Sequence, residues 1–192
     1  NGRFFQSYNA SFTEPWLGGK RPTSLNVGGA YTRINRLDQA FESQGYLSIA
    51  RAFAGVGTRL RWPDDNFLVN ATMSYENYFL SNYPNQFQFE GVNVSEGSYN
   101  NVALELKVAR TSINEPIFPT RGSEVSLSVK LTPPYSLFRA DDYYKDISVQ
   151  DRFRWVEYHK WRMDVDWYQT MVGKLVFRAN AKIGILGYYN ER

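Results

Sequence analysis

The sequence predicts an all-β fold, an antiparallel sheet built from eight long strands. Three observations predict it. Apolar and polar residues alternate with a period of two along most of the chain. The alternating runs reach 10–14 residues, against about 5–6 for an ordinary strand. The connections between them are alternately short and long, as they are when antiparallel strands have one trimmed end and one elaborate end.

The first strand covers about 4–13, with Phe4, Tyr8, Ala10 and Phe12 on one face and Ser7 and Asn9 on the other. The second, about 24–34, sets Leu25, Val27, Gly29 and Tyr31 against Asn26. The third, about 46–62, is clear in its second half, where Val56, Thr58, Leu60 and Trp62 oppose Gly57, Arg59 and Arg61. Its first half, Ser48 to Phe53, reads equally as a bulge or a helical turn. The fourth, about 67–79, places Phe67, Val69, Ala71, Met73, Tyr75 and Phe79 opposite Asn70, Thr72, Ser74 and Glu76.

The fifth, about 99–111, sets Val102, Leu104, Leu106 and Val108 against Glu105 and Lys107. The sixth, about 123–132, sets Val125, Leu127, Val129 and Leu131 against Glu124, Ser126, Ser128 and Lys130. The seventh, about 158–171, sets Trp161, Met163, Val165 and Trp167 against Arg162, Asp164, Asp166 and Tyr168. The eighth, about 174–187, carries Leu175, Phe177, Ala179, Ala181, Ile183 and Ile185 opposite Arg178, Asn180 and Lys182. Short turns follow strands one, three, five and seven, at 14–20, 63–66, 114–122 and 172–173. Long connections follow strands two, four and six, at about 35–45, 80–98 and 133–157.

Composition narrows the class. A formal charge of +3 on 192 residues is too small an excess to imply nucleic acid as a partner. With no cysteine, disulfides, thiolate nucleophiles and cysteine metal sites are excluded. No run of about 18 apolar residues is present, so no transmembrane helix is expected. A membrane strand needs only about 9–11 residues, half of them apolar, so a β-barrel stays open. Aromatics make up 17% of the chain, which suits interfacial anchoring at a membrane and equally a carbohydrate-binding surface. Asn1, polar and not methionine, reads as the start of a mature, trimmed or excised chain.

Alternation alone does not say which face points inward. A soluble barrel or sandwich keeps its apolar face inside; an outer-membrane barrel turns it to lipid. Strand length, loop asymmetry and mixed charge on the polar faces favour the membrane arrangement. Phe67, Val69, Met73, Trp161, Val165, Trp167, Phe177 and Ile183 are then the expected lipid-facing residues. Eight strands can close by themselves or form an arc of something wider.

No catalytic, cofactor or metal site is expected, and the chain does not read as an enzyme. His159 is the only histidine and has no companion base. Asp141, Asp142 and Asp146 do not follow calcium-loop spacing. Asp164 with Asp166, and Glu105 with Lys107, read as charge networks on a polar face. Trp16 and Trp62 sit beside short turns, where interfacial anchors belong. Trp155, in a long connection, is a candidate partner contact. Gly28, Gly29, Gly55 and Gly57 mark curvature or close backbone approach.

Two runs narrow the reading. Ser11-Phe12-Thr13-Glu14-Pro15-Trp16-Leu17 before Gly18-Gly19, and Arg110-Thr111-Ser112-Ile113-Asn114-Glu115-Pro116-Ile117-Phe118-Pro119-Thr120-Arg121-Gly122-Ser123 leading into a strand, resemble periplasmic turns of the BamA family of outer-membrane protein assembly factors. The motif positions are Glu14, Pro15, Trp16, Pro116, Phe118, Pro119, Arg121 and Gly122. Leu131-Thr132-Pro133-Pro134-Tyr135-Ser136 and Trp155 to Trp161 resemble the Bacteroidota branch. The resemblance implies a 16-stranded outer-membrane barrel of a Gram-negative bacterium, preceded by POTRA domains, that folds and inserts other barrel proteins. This chain then resembles strands four to eleven, a partial barrel domain over 1–192 with no POTRA domain.

Its implied partners are outer-membrane lipids, the remaining strands and POTRA domains, accessory lipoproteins or surface subunits at 80–98 and 133–157, and unfolded client proteins. The sixth-loop motif of the Val-Arg-Gly-Phe type and the first and last strands that form the family's lateral seam are missing. Alternatives are a polypeptide-secreting transporter of the same superfamily, a small closed structural or adhesive barrel, and a soluble carbohydrate-binding β-domain. The closed barrel predicts pairing between the first and eighth strands. The soluble domain predicts apolar faces inside.

Overall fold

The computed structural model describes residues 2–19, 23–37, 43–83, 87–89, 92–138 and 147–189. Asp141, Asp142 and Asp146 lie outside the described residues. The strands are β1 (Phe5–Glu14), β2 (Thr23–Leu37), β3 (Ser43–Arg59), β4 (Phe67–Ser81), β5 (Phe87–Phe89), β6 (Val92–Val94), β7 (Gly97–Thr111), β8 (Gly122–Leu131), β9 (His159–Val172) and β10 (Leu175–Gly187). Helical structure among the described residues is confined to single turns, including α1 (Val149–Arg152). Eight strands form one sheet in the order β1-β2-β3-β4-β7-β8-β9-β10, and β5 and β6 form a separate hairpin. Every neighbouring pair in the large sheet is antiparallel.

The eight expected strands are therefore the eight of the sheet, and their order follows the chain. No pairing joins β1 to β10: they are the two edges of an open sheet. The arrangement is an arc and departs from the small closed barrel.

Several boundaries differ from expectation, for physical reasons. The ambiguous stretch before Phe53 is regular strand, paired without a shift from Tyr46↔Ser81 to Arg59↔Leu68. Leu47 and Ile49 belong to an apolar cluster with Leu80 and Tyr78 on the neighbouring strand, and that packing holds the register. β3 ends at Arg59, although the Leu60 amide still donates to Phe67 O at 2.9 Å. The connection expected at 80–98 contains the β5–β6 hairpin. β8 stops at Leu131 because Pro133 and Pro134 bring no N–H to extend the ladder. Part of the space beyond it is filled from the connection before β9: Asn100 bridges to Trp155, with its amide donating to Arg154 O at 2.7 Å and its carbonyl accepting from Val156 at 2.9 Å.

Registers sort the side chains onto two faces. Tyr31, Ala50, Asn77 and Asn100 stand in one row, and so do Val56, Ala71, Leu106 and Val129. Apart from the hydrogen-bonded Asn77 and Asn100 at the loop end, this outer face is mainly apolar and exposed: Phe12 is 58% accessible, Met73 60% and Ile183 57%. The opposite, inner face carries Asn70, Thr72, Glu76, Glu105 and Lys107, yet it holds the most buried strand residues, Leu80, Tyr99 and Ala103. A water-soluble β-domain places its faces the other way round. The loop end of the inner face is packed. Leu47, Leu80 and Tyr99 meet Val94 from the β6 strand and Tyr83 and Phe153 from the connections.

Gly122 opens β8 at φ 104°, and an added Cβ would collide with Ser112 O. Gly122→Ala is expected to cost about 1–3 kcal/mol. The check is the midpoint of urea unfolding, followed by heat-modifiable gel mobility of the full-length protein.

Candidate functional site

The functional surface of this chain is its two-faced wall. All eight residues expected to face lipid lie on the outer face: Phe67, Val69 and Met73 on β4, Trp161, Val165 and Trp167 on β9, and Phe177 and Ile183 on β10. Trp167 and Phe177 meet edge-on at 6.1 Å between centroids.

The inner face is a hydrogen-bonded layer of polar side chains. Glu76, at its centre, takes an ion pair from Arg51 Nε at 3.3 Å. Its other oxygen accepts from the Tyr78 hydroxyl at 2.9 Å and from Asn101 Nδ2 at 3.1 Å. Asn101 also donates to the Tyr158 hydroxyl at 3.4 Å. Three strands and the entrance to β9 thus meet through one carboxylate. On the far side of the sheet, Glu124 and Asp166 stand directly across from each other. Arg178 offsets the repulsion with an ion pair to Asp166 at 2.7 Å, and Asn180 adds a bond at 3.0 Å.

Beside the Glu76 network, toward β1, lies a concavity of about 410 Å³, lined by Asn26, Arg51, Phe53, Asn70, Glu105 and Lys107 among others. Phe53 lies across Gly28, and Asn70 against Gly57; a Cβ at either glycine would collide with that side chain. Gly28 and Gly57 are therefore close-approach positions, as the sequence suggested.

The trimmed end is held by its turns. Glu14 Oε1 accepts from the Trp16 amide at 3.1 Å, closing the Glu14-Pro15-Trp16 turn. In the longer turn, Asn114 Oδ1 accepts from the Thr120 and Arg121 amides, each at 3.0 Å, and its Nδ2 donates to Thr120 Oγ1 at 2.9 Å. This asparagine organises the Pro116–Gly122 run and is not among the motif positions read from the sequence. Phe118 of that run is 78% exposed, Pro116 and Arg121 are exposed and Pro119 is half-buried, and the Thr120 carbonyl ties the turn to β9 by accepting from Thr170 Oγ1 at 3.0 Å. Asp64 accepts from the Asn66 amide at 2.8 Å and pairs with Arg110 at 3.0 Å. The amide first, and the guanidinium after it, hold its carboxyl below the usual carboxylate range.

At the elaborate end, Trp155 packs on Tyr135 in a tilted pair at 5.1 Å between centroids, so it is engaged within the chain. Glu157, missed by the sequence reading, accepts from the Ser136 amide at 2.5 Å and from its hydroxyl at 2.6 Å. Burial, with help from Glu157, pushes the Tyr135 phenol up. His159 Nδ1 accepts from the Trp161 indole at 3.2 Å, and its ring packs on Tyr189. Among the described residues no three His, Cys, Asp or Glu side chains come together to hold a metal. No helix among them is long and apolar enough to cross a membrane, which does not bear on strands.

Long antiparallel strands, an exposed apolar face and a polar inner face define a segment of β-barrel wall. The chain belongs to the Omp85 superfamily: residues 1–192 match the Omp85 superfamily domain. No curated protein sequence matches it. Among solved structures it is similar to BamA from Haemophilus ducreyi lacking POTRA domains 1–3, with a TM-score of 0.60 at 15% identity. The likeness covers 97% of this chain and 34% of that one, so this chain spans about a third of that structure's length.

Removing Glu76 leaves Arg51, Asn101 and Tyr78 without their common acceptor. Arg51 is half exposed, so its share is screened. A double-mutant cycle of Arg51→Ala and Glu76→Ala is expected to give a coupling of about 0.5–1 kcal/mol, with Glu76→Ala alone costing about 1–3 kcal/mol.

Proposed function

We infer that this chain is the central wall of a 16-stranded outer-membrane barrel that folds and inserts other β-barrel proteins. The observation that carries the reading is the inverted arc: an exposed apolar outer face, a hydrogen-bonded polar inner face and two open edges awaiting further strands. Its membership of the Omp85 superfamily and its fold likeness to a BamA barrel support the same reading. The runs Leu131–Ser136 and Trp155–Trp161 support a Bacteroidota-like branch.

The mechanism involves no covalent chemistry. An unfolded client strand carries unpaired backbone groups that are costly in hydrocarbon. A barrel edge that pairs with the client before releasing it removes that cost. In this reading the present strands are the rigid part. They hold the wall against outer-membrane lipid and join the remaining strands and POTRA domains. The connections around 80–98 and 133–157 face accessory lipoproteins or surface subunits. The wall itself carries no catalytic residue.

A polypeptide-secreting transporter of the same superfamily is the second reading, because the family match is at superfamily level. Depletion of the full-length protein separates them. Assembly function predicts loss of many barrel proteins from the outer membrane; loss of a single exported protein, with barrels intact, identifies the transporter.

Wall orientation has its own test on one strand. Val165→Arg, on the outer face at mid-strand, is expected to cost about 2–4 kcal/mol in folding into bilayers. The adjacent inner-face change Asp164→Asn is expected to cost less than about 1 kcal/mol. Equal effects would contradict the orientation.

A further inference from the structure

The outer face of the eight strands carries three charged side chains, Glu14, Arg33 and Arg110. Glu14 and Arg110 stand at the trimmed end and are satisfied locally, by the Trp16 amide and by Asp64. Arg33 stands at the elaborate end, one outward position beyond Tyr31 and level with Gln6 and Ser48. Among the described residues no carboxylate pairs with it.

Its guanidinium is nevertheless fixed. Nε donates to Asn35 Oδ1 at 2.9 Å, and the group lies over the Tyr46 ring at 3.9 Å from its centroid. Asn35 is itself 9% exposed and anchored at its other end, where Nδ2 donates to Arg3 O at 2.5 Å. Tyr46 is held by Phe79, with ring centroids 5.8 Å apart. The planar cation is thus pre-oriented, with its two terminal nitrogens given no acceptor by the described residues. A guanidinium that no described carboxylate compensates, just past an apolar band and on the side that meets the membrane, sits where lipid headgroups begin. Its fork matches two oxygens of a phosphate.

We propose that Arg33, held by Asn35 and Tyr46, is a binding subsite for the phosphate of a phosphorylated lipid headgroup in the leaflet at the loop end of the wall. It rests on the outer-membrane reading and adds a defined lipid contact to it. Arg33 grips the phosphate, Tyr46 and Asn35 keep the fork in plane, and the acyl chains run down beside Tyr31 and Ala50.

The test uses the folded full-length protein in phosphatidylcholine nanodiscs doped with diphosphoryl lipid A or with its dephosphorylated form, read by native mass spectrometry. Wild type is expected to retain the phosphorylated lipid roughly tenfold better, the size of one charge-assisted contact. Arg33→Gln removes the preference. Arg33→Lys keeps the charge without the fork and gives an intermediate value. Lys182→Gln, on the inner face, leaves the preference in place. Equal retention of the two lipids by wild type, or an unchanged preference in Arg33→Gln, overturns the proposal. So does displacement by excess inorganic phosphate, which would assign the site to a soluble anion. Heat-modifiable mobility establishes that each variant is folded, and Arg33→Lys carries the test if Arg33→Gln is not. Quenching of tryptophan emission by brominated acyl chains reports separately on the wall. If quenching persists while the lipid preference is absent, the subsite fails and the membrane reading stands.

Discussion

The backbone ladder is the constraint on which everything else in this chain depends. In hydrocarbon an unpaired N–H or C=O costs several kcal/mol, so a spanning strand must be bonded along both sides. Six of the eight strands of the sheet have a neighbour on each side. Once the ladder is fixed, the period of two leaves no freedom in the placement of side chains. A one-residue slip would send Trp161, Met163 and Val165 inward and turn Arg162, Asp164 and Asp166 to the outside.

The inner face shows how the wall stays single-registered without an apolar core. Glu76 gathers Arg51, Tyr78 and Asn101 from three neighbouring strands into one polar centre. Such a pair adds little net stability when part-exposed, and its value is directional. It is satisfied in one register only. The apolar cluster around Leu47, Leu80 and Tyr99 does the same at the loop end, and there it also fastens connections that would otherwise be free of the sheet. Polar specificity and apolar packing therefore divide the inner face between them.

The two ends use different devices. The trimmed end relies on local side-chain bonds to backbone: Glu14, Asp64 and Asn114 each satisfy amides within their own turn. The elaborate end relies on contacts between segments distant in sequence, such as Ser136 with Glu157 and Asn100 with Arg154. A wall with rigid, self-contained turns on one side and a packed, sequence-specific cover on the other suits an environment that differs across the membrane. Arg33 belongs to the second end, where its charge on the outer face is held by Asn35 and Tyr46.

By itself the sequence determined the eight strands, their antiparallel order and the identity of both faces, because alternation and turn chemistry are local signals. It also located the Glu14–Trp16 and Pro116–Gly122 turns. Only the tertiary structure decided what depends on distant neighbours. Alternation is the same for a soluble barrel and a membrane wall, and the exposure of Phe12, Met73 and Ile183 against the burial of Leu80 and Tyr99 separated them. The regular run through Ser48–Phe53 was illegible because small residues there carry weak alternation, and it is fixed by pairing with β4. Arg33 was silent as sequence, and Asn114 and Glu157 stood within runs that were read without their bonding roles, since a polar residue acquires its role from the partner that folding brings to it. Whether the two edge strands meet is likewise a matter of register and curvature over the whole sheet. Here they stay apart, and eight strands make an arc.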